Sequence, residues 1–415
     1  MRLAPRSPGK TIMRRSSPAV LALAVGVFGI ITTEMGIVGV LPQVASRLNV
    51  SPSTAGLLVG SFALVVAVSG PFMTLAASRL DRRAVLAAAM GVFAVSNAVY
   101  ALSTHFAVML AFRIVPALLH PVFFSVALAT AVRLGRPEDA TRATARVFAG
   151  ITAGFAFGVP FTSYLADHFS LQAAFWFGAA VNLLGLAGVL RFLPAMPAGD
   201  RLSYGSQLRV LRSGRIWLTV MSVVLVFAAL FSVYGYFAEY LGAVTGMSGS
   251  RISVMLMAFG VVMVFGNFAF AALLRVGAIR TVLLLPVLFA LVQVLVFALG
   301  ARTAPMIGLV PLWAAVHSGG LIVCQNWLGR DTQDAPEFGN SLFVSFSNLG
   351  ITVGTAVGGW VLAALGSRSL PWVGVGFALA ALAAVALRLT WDRQAGAAAD
   401  RGAPAVDRGA PATVR

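Results

Sequence analysis

The chain has 415 residues, of which 59% are hydrophobic and only 10% charged, with a mean hydropathy of +0.91. A water-soluble domain carries about 25% charged residues, so this composition excludes a soluble enzyme and makes lipid the solvent for most of the surface. The formal net charge of +17 does not indicate a nucleic-acid partner, because the basic residues lie in short segments between apolar runs and form no basic face with interleaved aromatics.

A bilayer-crossing helix takes about 20 mostly apolar residues. In chain order, six such runs fall at 18–41, 54–77, 84–102, 107–132, 147–166 and 172–193. The basic opening MRLAPRSPGKTIMRRSS superficially resembles a secretion signal. The apolar stretch from Pro18 to Leu41 exceeds a signal core of about 7–15 residues, however, and reads as a retained first span. A polar, arginine-bearing stretch at 194–215 follows, then six more runs at 216–241, 252–274, 281–299, 305–327, 340–365 and 371–390. The predicted organisation is an N-terminal segment 1–17, a six-helix unit 18–193, a central loop 194–215, a second six-helix unit 216–390, and a tail 391–415. The tail carries DRGAPA twice and has no apolar face, so disorder is expected there.

With the N-terminus placed in the cytoplasm, all but five of the 30 Lys and Arg fall in cytoplasmic segments. The exceptions are Arg47, Arg251, Arg302 and Arg368 in outer loops and Arg113 inside a span. This positive-inside bias predicts an even number of crossings with both termini cytoplasmic, and it accounts for the basic charge without a partner. A weak internal repeat supports two halves: Gly70 precedes Arg79 in the second span as Gly266 precedes Arg275 in the eighth. The fifth and eleventh spans, GITAGFAFGVPFTSYLA and SNLGITVGTAVGGWVLAAL, are rich in small residues and are expected to pack between the halves.

Ionisable residues deep in a bilayer are costly and mark function. Glu34 in the first span and Arg113 in the fourth both lie about 10 Å below the outer surface at 1.5 Å per residue. They are expected to pair if those spans are neighbours, either as a proton-loading site or as a static ion pair. His120 in the fourth span and His317 in the tenth fall near mid-membrane at matching depths, as proton or substrate contacts or as packing residues. The seventh span ends in FSVYGYFAEYLG. Tyr234 and Tyr236 are deep enough to meet a substrate, whereas Tyr240 reads as part of an interfacial belt and Glu239 lies near water. The lone Cys324 sits in an apolar run and excludes an internal disulfide. No phosphate-binding GxxxxGK[ST] loop, HExxH or paired-cysteine spacing occurs, so no cofactor or metal is expected.

Several of these stretches resemble the drug:proton antiporter branch of the major facilitator superfamily, most of all its sugar-efflux and chloramphenicol-efflux permeases. TTEMGIVGVLPQVASRLNVSPSTAGLL places Glu34 and Pro42 on that group's acidic and Leu-Pro positions. ASRLDRRAVL is similar to the cytoplasmic signature, with Arg79, Arg82 and Arg83 on its basic positions; Ser78 stands in place of its acid and Asp81 in place of a glycine. FRIVPALLHPVFFSVA resembles the arginine-bearing motif through Arg113 and His120, and GITAGFAFGVPFTSYLADHF resembles the antiporter motif through Gly158 and Pro160. The resemblance implies an all-α membrane protein of twelve transmembrane helices in two six-helix bundles. A central cavity would be lined by the first, fourth, seventh and tenth spans. It further implies a monomeric exporter of small molecules driven by protons, with Glu34 as carrier. A dedicated exporter of one metabolite or self-made antibiotic, an uncoupled or inward facilitator, and a non-transporting sensor are the rival expectations.

Overall fold

Hydrophobic length sets the architecture. The computed structural model describes residues 8–77, 80–134, 140–195, 211–333 and 336–402, and every regular element among them is helical. The first half comprises α1 (Pro8–Gly39), a short α2 (Leu41–Leu48), α3 (Pro52–Ala77), α4 (Arg82–Leu102) and α5 (Phe106–Leu134). It continues with α6 (Ala140–Ala153), α7 (Val159–His168) and α8 (Leu171–Phe192). The second half comprises α9 (Gly214–Tyr234), the short α10 (Phe237–Ala243), α11 (Gly249–Leu299), α12 (Thr303–Asp331), α13 (Pro336–Leu365) and α14 (Leu370–Gly402). Eleven of the described helical stretches are long and apolar enough to cross a bilayer. The 51-residue α11 counts twice: at 1.5 Å per residue it would run about 75 Å, far beyond a hydrocarbon core of about 30 Å. It leaves helical dihedrals at Gly277 (φ −173°, ψ 95°), which divides it into the predicted eighth and ninth spans and gives twelve crossings.

The boundaries shift where local chemistry departs from hydropathy. Helix begins at Pro8, so part of the predicted N-terminal segment extends the first span. At its far end α1 breaks at Val40 and Pro42 opens the separate α2, because proline has no N–H to continue the ladder. The tail expected to be disordered from Trp391 is instead helical to Gly402, continuing α14 without interruption. Ala and Gln favour helix, and Asp392 accepts ion pairs from Arg388 and Arg215, which holds the first added turn. The second DRGAPA copy lies outside the described residues.

The fifth span is α6 and α7 joined by a π turn over Gly154–Gly158. Pro160 lies two residues beyond it, and its missing N–H forces the ladder to widen there. Gly150, Gly154 and Gly158 face α1 closely enough that a Cβ would strike Ala24 O, Ile31 and Thr32 Oγ1 respectively. Gly350, Gly354 and Gly358 of α13 press in the same way on the α9 backbone at Val224, Ala228 and Ser232. Both glycine stripes therefore seat a helix against its own bundle. The same two spans also pack between the halves, as expected, through their other faces: α13 against α3, where Thr352 Oγ1 donates to Gly60 O at 3.2 Å, and α7 against α11, where Ser253 Oγ donates to Ser163 Oγ at 2.9 Å. With twelve crossings, Pro8 and Gly402 lie at one end of the molecule; α2 and α10 lie at the other, called distal below.

Candidate functional site

The buried ionisable groups of the first half converge on α1. Arg113 of α5 is 1% exposed and donates to three backbone carbonyls among the described residues. Its Nε donates to Leu58 O of α3 at 3.0 Å, Nη1 to Thr33 O at 2.8 Å and Nη2 to Glu34 O at 2.9 Å. The Phe62 ring lies 4.8 Å from Cζ. Carbonyl dipoles and a ring face thus share out a positive charge that lipid cannot solvate.

The expected pairing of Glu34 with Arg113 takes a different form. Arg113 holds the backbone of residues 33 and 34, while the Glu34 carboxylate turns to His120, with Oε2 3.1 Å from Nε2. Glu34 and His120 are 5% and 6% exposed. Their contact has ion-pair distance but not hydrogen-bond alignment, and neither ring nitrogen of His120 has a hydrogen-bond partner. The imidazole is held between Phe62 and Phe124, at centroid separations of 5.7 and 4.7 Å. A carboxylate and an imidazole are thus brought together where lipid and aromatic rings, not water, surround them.

His317 of α12 occupies a separate environment. Its ring is surrounded by Phe231, Tyr234 and Phe259 at 5.6, 4.8 and 5.3 Å, and its Nδ1 lacks a partner. Among the described residues no hydrogen bond or ion pair joins it to Glu34 and His120. Tyr234 belongs to this aromatic cluster. Tyr236 does not: its hydroxyl donates to Thr355 O at 2.8 Å and lies between Gly56 of α3 and Gly359 of α13, at the seam of the two halves. The break after Tyr234 separates it from the α9 residues that surround His317. Tyr240 is fully buried and donates to Val296 O at 3.0 Å, so it is no member of an interfacial belt.

The motif residues take structural positions. Asp81 caps α4, accepting from Ala84 N at 2.8 Å, and Arg83 donates to Leu190 O at the end of α8. Arg82 opens α4 with Nη1 unpartnered; Arg79 lies outside the described residues. Gly158 and Pro160 shape the fifth span against Thr32, as above. A shallow groove of about 570 Å³ opens distally between Pro42, Gln43, Ser46, Arg47, Leu171 and Gln172, sharing no residue with the buried pair.

Sequence reasoning passed over two groups. Asn97 and Asn182, amides inside apolar runs, both reach Thr33. At the opposite end of the molecule, Arg388 joins Asp331 at 2.6 Å and covers Trp327 at 3.8 Å, with Arg215 and Asp392 completing the cluster. Both were visible as polar residues inside or at the edge of hydrophobic spans.

A sequence profile of the Major Facilitator Superfamily matches residues 23–329. The inner membrane transport protein YdhP of Escherichia coli strain K12 is 29% identical over 358 residues, 85% of this chain and 91% of that protein. A chloramphenicol resistance protein of Streptomyces lividans is 35% identical over 251 residues, 60% of this chain and 63% of that protein. In fold, the chain is similar to a bacterial homologue of the human lysosomal transporter Spinster in its inward-facing, unoccupied conformation. The TM-score is 0.71 at 15% identity, covering 93% of this chain and 96% of that one. The protein is a multi-pass transporter of the bacterial inner membrane and not an enzyme. With twelve helical crossings and a profile match over most of its length, the chain belongs to the major facilitator superfamily.

Proposed function

We propose that the protein exports small molecules across the cytoplasmic membrane in exchange for protons, with one chain as the functional unit. The observation that carries this reading is the buried Glu34 carboxylate 3.1 Å from His120 Nε2, in a span, 18–41, with no other ionisable residue. A group of this kind earns its place in a bilayer by changing charge during the cycle. In this reading a proton arriving from the distal, outer side adds to the pair and neutralises the carboxylate. It leaves toward the cytoplasm once the two units, 18–193 and 216–390, have rocked about the site. Arg113 keeps α1 seated while this happens, and the Tyr234–His317 cluster offers ring faces to a substrate. Efflux-related names among the relatives support the outward direction, and chloramphenicol is the first compound to try.

The test is reconstitution in liposomes with a trapped pH dye, adding chloramphenicol, then other antibiotics, dyes and sugars. Wild type is expected to move protons when substrate is added, and Glu34→Gln to exchange labelled substrate without moving protons. Substrate equilibration with no proton movement by either protein would replace the antiporter with a facilitator. Response to a single compound in the panel would make it a dedicated exporter.

A further inference from the structure

Thr33, the residue before Glu34, ties four helices together. Its hydroxyl accepts from Asn97 Nδ2 of α4 at 2.8 Å and from Asn182 Nδ2 of α8 at 3.0 Å, and itself donates to Gly29 O at 2.9 Å. Its carbonyl takes Arg113 Nη1 of α5 at 2.8 Å. Both amides are buried, at 2% and 0% exposure, and each also donates within its own helix, Asn97 to Phe93 O and Asn182 to Gly178 O, both at 2.8 Å. Space for the amide oxygens comes from glycines on the facing helices: a Cβ at Gly178 would strike Asn97 Oδ1, and one at Gly29 would come within 2.9 Å of Asn182 Oδ1.

Apolar side chains would pack α1 against α4 and α8 without the risk of stranding an amide in hydrocarbon. What hydrogen bonds add is direction. Successive residues of a helix are turned by about 100°, so fixing the azimuth of Thr33 fixes that of Glu34. An apolar ridge tolerates a rotation of a few tens of degrees; three bonds converging on one hydroxyl do not. We infer that Asn97 and Asn182 are positioning residues for the proton site: by clamping Thr33 they hold the phase of α1 at which the Glu34 carboxylate faces His120. The inference rests on the proton-site reading above and adds to it the groups that aim the carboxylate. Among the described residues, no hydrogen bond joins either amide to Glu34 or His120. Breaking the clamp therefore leaves both titrating groups in place and changes only their mutual geometry.

The test uses the full chain in lipid and follows the carboxyl C=O infrared band through a pH titration, with the Glu34 band assigned by subtracting the Glu34→Gln spectrum. Thr33→Val is isosteric and leaves each amide a backbone acceptor, so it folds even where Asn182→Leu does not. The midpoint of the Glu34 band is expected to move by about one pH unit, a tenfold change in proton affinity, in Thr33→Val and Asn182→Leu. It is expected to return to the wild-type position in Thr33→Ser, which restores the hydroxyl. A midpoint unmoved in Thr33→Val, with the band still removed by Glu34→Gln, overturns the clamp and leaves the proton site standing. If Glu34→Gln removes no titrating band, the proton-site reading itself fails and the clamp falls with it.

Discussion

Gly158 shows how a single atom governs this protein. Its dihedrals, φ −62° and ψ −52°, are open to any residue, so glycine is required there by distance and not by conformation. A Cβ would strike Thr32 Oγ1, one residue from the clamp at Thr33. Gly158→Ala should therefore cost about 1–3 kcal/mol through overpacking, seen as a lower thermal midpoint of the purified protein in detergent. Arg113 teaches the complementary lesson. Depth arithmetic on the sequence put it level with Glu34, which is where it lies, yet a side chain with five directed donors chose carbonyls of two helices over one carboxylate. That choice left Glu34 to His120, the contact on which the predicted behaviour of Glu34→Gln depends.

Elements are held at their ends by charge and along their lengths by small residues. At the end of the molecule that carries the termini, α9, α12 and α14 are joined through Asp331. It accepts Thr219 Oγ1 at 2.5 Å and takes ion pairs from Arg388 at 2.6 Å and Arg215 at 3.2 Å. Arg388 is 2% exposed, so its charge depends on that carboxylate and on the Trp327 face. Asp331→Asn would replace the carboxylate by a neutral amide and leave Asp392, at 3.4 Å, as the guanidinium's remaining ion pair. The expected loss is about 3 kcal/mol of stability, read as thermal unfolding, while exchange per folded molecule is retained because the cluster stays within one bundle. The π turn before Pro160 belongs to the same scale, since one absent N–H reshapes five residues and sets the angle at which α7 meets α11.

At the scale of the whole molecule, the polar contacts between α7 and α11 among the described residues lie distally: Ser163 with Ser253 at 2.9 Å, and Ser250 with Asp167 at 2.7 Å and His168 at 3.4 Å. Gly249 lets the Asp167 carboxylate approach the start of α11, where any Cβ would collide with it. Alternating access requires this seam to part. In a background without the single native cysteine, Ser163→Cys with Ser253→Cys should form a disulfide that stops exchange, and reductant should restore it. Exchange continuing in the oxidised protein would mean that the α7–α11 seam does not open during the cycle.

Membrane-crossing lengths, the twelve crossings and the candidate ionisable residues followed from the sequence alone, because in lipid every backbone group must bond within its own helix and each polar side chain stands out against an apolar run. Cap and break positions were only partly readable. Pro42 stood at the Leu-Pro end of the first span, but the π turn before Pro160 was not foreseen, and the continuation of α14 past Trp391 needed Asp392 to meet Arg388 and Arg215, a contact set by folding. Partner choice belonged wholly to the tertiary structure. Hydropathy and depth place a residue along the bilayer normal; they say nothing of azimuth. Azimuth is what gave Glu34 to His120, sent Tyr236 to the seam, and brought Asn97 and Asn182 from two helices onto one threonine.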